Sequence, residues 1–111
     1  MAQQGRLFDL PTGPADAEVF DTLFENPAVR IERIASHAQA SPEGFWYDQP
    51  DDEWVLVVRG DAVVAFADGR RVAMRAGDWL TIPARCRHRV ASTGADTVWL
   101  AVHAAAAPPG G

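Results

Sequence analysis

Apolar and charged residues alternate in short runs along most of the chain from residue 29 onward. In Val29–Ala35 the alternation has the period of a strand with one buried face. Gly, Pro and Asp residues separate this run from similar ones, as in tight turns and β-hairpins. The pattern predicts strands at residues 29–35, 45–47, 53–59, 62–67, 70–75, 79–82, 88–91 and 97–103. Short strands joined by such turns predict an all-β sandwich or barrel.

One segment before these strands has a helical pattern. Between Asp16 and Glu25 the apolar residues are spaced i, i+1, i+4, i+5, which forms a single stripe on a helix. Asp16 is a suitable N-cap, and Pro27 ends the helix. The sequence therefore predicts one short helix that covers an end of the sheet. The four residues of the stripe are Val19, Phe20, Leu23 and Phe24.

The chain has 111 residues, which suits one domain. We expect an N-terminal arm with the short helix over residues 1–27, a barrel over 28–103 and a disordered tail over 104–111. The net charge of −5 argues against nucleic-acid binding, and the alternating arginines from Arg85 to Arg89 fit a solvated strand face.

The single cysteine, Cys86, excludes an intrachain disulfide, and we expect it to be a packing residue. No apolar stretch approaches the ~20 residues that a membrane span needs. The first ten residues lack the layout of a signal peptide. We therefore expect a soluble protein of the cytoplasm with no membrane partner.

Two segments carry motifs whose spacing is informative. Tyr47–Gly60 contains Glu53 seven positions before its closing glycine. Gly77–Ser92 contains Pro83 and His88. These segments resemble the cupin motifs G…HxHxxxExxxxxxG and GxxxxxPxGxxHxxxN. The resemblance spans roughly residues 29–103 and implies a small single-domain cupin of the cupin 2 type: an all-β double-stranded β-helix, or jelly-roll barrel.

The resemblance also implies a polar site inside the barrel. Metal-binding cupins hold a divalent ion with three histidines and one glutamate, and those positions correspond here to Tyr47, Gln49, Glu53 and His88. Glu53 and His88 match the family pattern. Tyr47 and Gln49 replace the two histidines of the first motif, although residues two apart still face the same side of a strand.

This departure leaves three interpretations open. In the first, Gln49, Glu53 and His88 bind a divalent ion such as Mn, Fe, Ni or Zn, and the protein is an isomerase, decarboxylase, lyase or dioxygenase acting on a small molecule. In the second, Tyr47, Glu53 and His88 perform acid–base catalysis without a metal, with Glu53 or His88 as the base and Tyr47 as the acid. In the third, the pocket binds a small molecule and catalyses nothing.

Two further histidines lie near the predicted site. His37 precedes the motif strand and His103 ends the last predicted strand, so either could project into the barrel, and we favour His37. We expect the four tryptophans to fill the space between the sheets. The family resemblance also implies a homodimer, with Leu7–Phe8 as the contacting segment.

Overall fold

The computed structural model describes residues 1–10 and 17–106, and this part of the chain contains eight β-strands and no helix. Each strand is bounded by a turn or a short loop. The strands are β1 (Val19–Glu25), β2 (Val29–Ser36), β3 (Asp52–Arg59), β4 (Asp61–Phe66), β5 (Arg71–Arg75), β6 (Trp79–Ile82), β7 (His88–Thr93) and β8 (Thr97–Ala104).

The strands form two antiparallel sheets that enclose the core. The larger sheet has the order β1-β2-β8-β3-β6, and the smaller has the order β5-β4-β7. Alternate residues of β3 face inward, so Val55 and Val57 pack with Val64 of the small sheet and Trp99 of β8. This arrangement is the predicted jelly-roll, without the predicted helix.

Gly60 joins the two sheets at the turn between β3 and β4. Its φ of 86° lies in the left-handed region, which glycine adopts at little cost. A Cβ atom at this position would lie 2.5 Å from the Asp96 carbonyl oxygen and 2.5 Å from Thr97 Oγ1. The closing glycine of the first motif is therefore required both by its backbone angle and by the close approach of the neighbouring chain.

The predicted helix at residues 16–25 is wrong, because most of this segment forms β1. Strand β1 pairs with β2, with Phe20 opposite Ile34, and a register shift occurs between Thr22 and Phe24. This irregularity interrupts the strict alternation, so the apolar residues acquire a spacing that resembles a helical stripe. Pairing with the edge of β2 gives the segment backbone hydrogen bonds along its length. These stabilise the strand more than the weak helical pattern would stabilise a short helix. The predicted cap, Asp16, lies outside the described residues.

Two other expectations need correction. Residues 45–47 do not form a strand; only Tyr47 makes an isolated bridge, to His88. The tryptophans do not all fill the core: Trp99 is 4 % exposed, whereas Trp79 is 62 % exposed and lies 6.3 Å from Trp54, centroid to centroid. Trp54 alternates with the inward-facing residues of β3, so both rings lie on the outer face of the large sheet.

The N-terminal arm packs against the large sheet. The Arg33 guanidinium donates hydrogen bonds to the carbonyl oxygens of Arg6 and Leu7, and the Arg59 guanidinium lies 5.0 Å from the Phe8 ring centroid. Strand β8 extends to Ala104, and the rest of the predicted tail from residue 107 onward lies outside the described residues. The described residues contain no helix long and apolar enough to cross a membrane.

Candidate functional site

A cavity of about 90 Å³ lies between the two sheets. This volume holds several water molecules or a small organic group. The end near Glu53, His88 and His103 is polar, and most of the remaining wall is apolar. The polar lining residues are Glu18, Tyr47, Gln49, Glu53, His88 and His103. The apolar lining residues are Phe20, Ile34, Val55, Val64, Ile82, Val90 and Trp99.

A glutamate from one sheet and a histidine from the other meet at the polar end. Glu53 Oε1, on β3, lies 3.3 Å from His88 Nε2, at the start of β7. Only 11 % of the Glu53 side chain and 7 % of the His88 side chain are exposed. The structure thus brings together the two residues that match the cupin motifs. The contact joins the large sheet to the small one across the barrel.

The other ring nitrogen of His88 fixes the protonation of the pair. Nδ1 lies 2.9 Å from the Cys86 carbonyl oxygen, which can only accept a hydrogen bond, so Nδ1 carries a proton. In a neutral ring the remaining lone pair on Nε2 would then face the Glu53 carboxylate and be repelled by it. The 3.3 Å contact is attractive only when the pair holds a further proton, on His88 or on Glu53.

The electrostatics of His88 agree with this arrangement. Burial lowers the pKa of its imidazole, but the hydrogen bond with Glu53, the hydrogen bond with the Cys86 carbonyl and the negative charge of Glu53 together outweigh burial and raise the pKa above its ordinary value. The proton of the pair is therefore retained to a higher pH than on an isolated histidine.

A second histidine, His103, completes the polar end. The sequence had favoured His37 over His103 as the additional histidine of the site. Its Nε2 lies 3.0 Å from Glu32 Oε1 and 3.6 Å from Glu53 Oε2. Its Nδ1 is buried and has no hydrogen-bond partner in the described structure. A nitrogen that faces two carboxylates must carry the proton, so Nε2 is the protonated atom of His103. His37, by contrast, is exposed.

The pairing of β3 with β8 explains why His103 lies there. Glu53 is directly opposite His103 in that pairing, and directly opposite residues project from the same face of a sheet. The signal that would have found His103 is therefore the register between two strands, rather than any local motif. Glu32, on β2, was missed for the same reason.

Tyr47 lies against the Glu53–His88 pair. Its backbone N–H donates to the His88 carbonyl oxygen at 2.7 Å, and its ring stacks on the imidazole with the centroids 5.3 Å apart. Burial raises the pKa of the phenol, and the charges of Glu18, Glu53 and Glu32 raise it further. Tyr47 therefore remains a neutral hydrogen-bond donor in the cavity.

Gln49, the other substituted motif position, also lines the cavity. Its backbone carbonyl accepts a hydrogen bond from the Arg85 N–H at 2.8 Å. The Arg85 guanidinium is exposed and lies 3.5 Å from the Asp48 carboxylate. The sequence alone did not predict on which side of its loop this side chain lies. Cys86 packs beside the core, as expected for a packing residue.

A further carboxylate, Glu18, enters the cavity from the large sheet. Glu18 precedes β1, and its Oε2 accepts a hydrogen bond from the buried Ser36 hydroxyl at 2.6 Å. Ser36 Oγ accepts in turn from the indole N–H of Trp99 at 3.3 Å. The helical pattern predicted Glu18 on a helix, so its place in the site was missed.

A small antiparallel jelly-roll with an acid–imidazole pair at the polar end of a cavity is the barrel that cupin domains form. The description "Cupin domain" matches residues 31–103, which is most of the chain. The chain belongs to this family. No curated protein matches the sequence.

Solved structures agree with the family assignment. The chain is 52 % identical to a protein of Ralstonia eutropha JMP134 that is provisionally named a mannose-6-phosphate isomerase; the match covers 95 % of this chain and 100 % of that one, with a TM-score of 0.87. It is 18 % identical to a cupin superfamily protein of Desulfitobacterium hafniense, covering 91 % and 99 % of the two chains with a TM-score of 0.73. A conserved Streptococcus pyogenes protein of unknown function is 18 % identical, covering 97 % and 91 %, with a TM-score of 0.75.

The family implies a metal, so we compared the donor set with what a metal requires. Imidazoles and carboxylates are suitable ligand types for Mn, Fe, Ni or Zn. The Nε2 atoms of His88 and His103, however, contact carboxylate oxygens directly, at 3.3 and 3.0 Å. Within residues 1–10 and 17–106, no three His, Cys, Asp or Glu side chains are arranged to hold an ion. The imidazoles are thus already paired with carboxylates, and the ligand role of Gln49, Glu53 and His88 stays a prediction.

Proposed function

We propose that the protein is a small-molecule enzyme of the isomerase type that moves a proton within its barrel cavity. The observation that carries the proposal is the contact between Glu53 Oε1 and His88 Nε2 with Nδ1 already protonated, because this pair holds a proton that it can donate and recover. The name provisionally given to the relative with 52 % identity supports the same class of reaction.

The three catalytic residues have separate roles. The Glu53–His88 pair is the base when it has lost its extra proton, and the raised pKa of His88 makes it a stronger base than a free imidazole. Tyr47 is the hydrogen-bond donor to the substrate oxygen, because its phenol stays neutral beside the carboxylates. His103 and Glu32 hold the second oxygen of Glu53 and position it.

The proposed step converts a hydroxy aldehyde into a hydroxy ketone, or the reverse. The pair takes the proton from the carbon that bears the hydroxyl, and the electrons of that C–H bond form the double bond of an enediol. The carbonyl oxygen takes the Tyr47 proton. The pair then returns its proton to the neighbouring carbon, and the second hydroxyl returns a proton to Tyr47, so no atoms or electrons are gained or lost.

The experiment follows the proton and does not require the natural substrate. Glyceraldehyde, erythrose, mannose and mannose 6-phosphate are each incubated with the protein in D₂O, and NMR measures deuterium entering the carbon beside the carbonyl. We expect exchange with at least one compound, and loss of that exchange in His88→Gln and Glu53→Gln.

The exposed histidine provides a matched control. His37→Gln makes the same chemical change outside the cavity and should leave exchange unaltered. Ligand binding without exchange for any compound would reject the enzyme and leave the third interpretation, a binding module. Thermal-shift screening detects such binding, because a ligand at many times its Kd raises stability by a few kcal/mol.

We also propose that the protein is a homodimer that uses the Leu7–Phe8 segment. Supporting this, the Phe8 ring is held in place by Arg59 yet is 50 % exposed. Sedimentation analysis tests it, with Phe8→Ser expected to dissociate the dimer. Phe45→Ser, which removes a phenylalanine that is 41 % exposed elsewhere, is the control. A monomeric wild-type protein would reject the proposal.

A further inference from the structure

No arginine or lysine side chain lines the cavity within the described part of the chain. The sequence has ten arginines and no lysine, and all ten lie in residues 1–10 and 17–106. The cavity lining contains none of them. Four of the arginines are instead paired with aspartates outside the cavity: Arg33, Arg59, Arg70 and Arg85.

Arg30 contacts Glu32, a partner of the site residue His103, but it does not line the cavity. Its Nε lies 3.5 Å from Glu32 Oε1, behind the contact that Glu32 makes with His103. Arg30 lines a separate depression near the end of β8. Its positive charge is therefore used to balance Glu32, and the cavity itself receives no guanidinium.

Two fixed carboxylates line the cavity from different directions. Glu53 is held at the polar end by its contacts with His88 and His103. Glu18 is held by the Ser36 hydroxyl, and Ser36 is held by the Trp99 indole. Ser36 is fully buried and Glu18 is half-buried, so this hydrogen bond anchors the second carboxylate to the core.

We infer that the cavity takes an uncharged or cationic small molecule and rejects phosphate esters and carboxylates, with Glu18 as the residue that sets this preference. The inference rests on the proposed function, because it names the substrate class of the same cavity. A phosphate would lie beside the Glu18 carboxylate with no guanidinium in the lining to pair with, because the His88 and His103 imidazoles already face carboxylates. The apolar walls, which include Val64 and Trp99, accept a short carbon chain.

The test uses compounds that differ only in charge. Butan-1-amine, butan-1-ol and butanoate share one carbon chain, and their affinities for the full-length protein are measured by calorimetry at neutral pH. Mannose and mannose 6-phosphate form a second matched pair. We expect the amine to bind about tenfold or more tightly than butanoate, and mannose to bind more tightly than its phosphate.

Two variants assign the preference to Glu18. Glu18→Gln removes the charge but keeps an acceptor for the Ser36 hydroxyl, and it should reduce the amine-to-butanoate ratio by about tenfold. Glu43→Gln removes an exposed carboxylate outside the cavity and should leave the ratio unchanged. Tighter binding of butanoate or mannose 6-phosphate, or no binding by any member of either series, would overturn the inference.

The two proposals fail in different ways. Deuterium exchange into mannose 6-phosphate but not mannose would leave the proposed proton transfer intact and reject the charge preference. The expected order of affinities without exchange into any compound would support the charge preference and reject the enzyme.

Discussion

The cavity contains two histidines whose surroundings look alike but differ in one hydrogen bond. His88 and His103 are both 6 % exposed, and each has Nε2 near a carboxylate. In His88 the Nδ1 atom is bound to the Cys86 carbonyl, whereas in His103 the Nδ1 atom has no hydrogen-bond partner in the described structure. The first histidine is thus required to share a second proton with Glu53, whereas the contacts of the second fix only the proton on Nε2.

This difference separates a chemical role from a positioning role. An imidazole that is held at one nitrogen by a backbone carbonyl can gain and lose a proton at the other nitrogen without turning. His103 directs its Nε2–H towards Glu32 and Glu53, so it acts as a donor that holds these carboxylates. His88 is therefore suited to proton transfer, and His103 to positioning Glu53.

The largest expected effect is on proton exchange. His88→Gln removes the group that carries the proton, so exchange into the best substrate of the D₂O assay should fall by about 10³-fold. His103→Gln keeps a nitrogen donor near Glu32 and should reduce the rate by less than about tenfold. Equal losses in the two variants would contradict the assignment of separate roles.

The next largest effect is on the free energy of unfolding, and it distinguishes Glu53 from Glu32. Glu53 contacts both imidazoles and its side chain is 11 % exposed, so Glu53→Ala leaves two nearly buried rings without their shared partner. We expect the free energy of unfolding to fall by about 3 kcal/mol. Glu32→Ala breaks the contacts with His103 and with the more exposed Arg30, but it leaves His88 paired with Glu53, and it should cost about 1 kcal/mol.

Urea unfolding at neutral pH measures both free energies. The order of the two variants is the critical result, because absolute values vary with context. A larger loss in Glu32→Ala than in Glu53→Ala would show that Glu53 is not the centre of the cluster.

The sequence predicted the Glu53–His88 pair and not the Glu32–His103 pair, for a physical reason. Motif spacing identified Glu53 and His88, because Glu53 lies seven positions before the Gly60 turn and His88 lies five positions after Pro83, which follows the end of β6. His103 and Glu32 reach the site only through the pairing of β2, β8 and β3. Alternation predicts that a residue faces inward, but it does not give the register that decides which residues meet.

Strand β1 is a second feature that the hydrophobic pattern alone did not predict. The fold class and most strands followed from strict alternation, which β1 lacks because its register shifts between Thr22 and Phe24. With β1 assigned as a helix, Glu18 had no reason to approach the cavity. The Ser36–Glu18 hydrogen bond depends on β1 lying beside β2, so the error in fold concealed a site residue.

A smaller effect is the pH dependence of stability that His88 introduces. Its folded pKa is raised above the ordinary value of 6.5, so the folded state binds its proton more tightly than the unfolded state does. This contribution is fully present below pH 6.5 and is lost as the pH rises through the folded pKa. The stability difference between wild type and His88→Gln should therefore be larger at about pH 6 than at about pH 9.

Urea unfolding of both proteins at each pH measures this contribution, because the two proteins differ only at residue 88. A difference that grows with rising pH would mean that the folded state disfavours the protonated pair, contrary to the contact between Nε2 and Glu53.

The smallest expected effect is that of added metal. To bind Gln49, Glu53 and His88, an ion must displace the extra proton of the Glu53–His88 pair and separate a contact that is already attractive. We therefore expect saturating Mn²⁺ or Zn²⁺ to raise the Tm by less than about 2 °C. A larger rise that is lost in His88→Gln and Gln49→Ala, but kept in His37→Gln, would show that the predicted ligand set is correct. The Glu53–His88 contact would then be the arrangement that forms when no ion is bound, and the two histidines would differ because only one of them is a ligand.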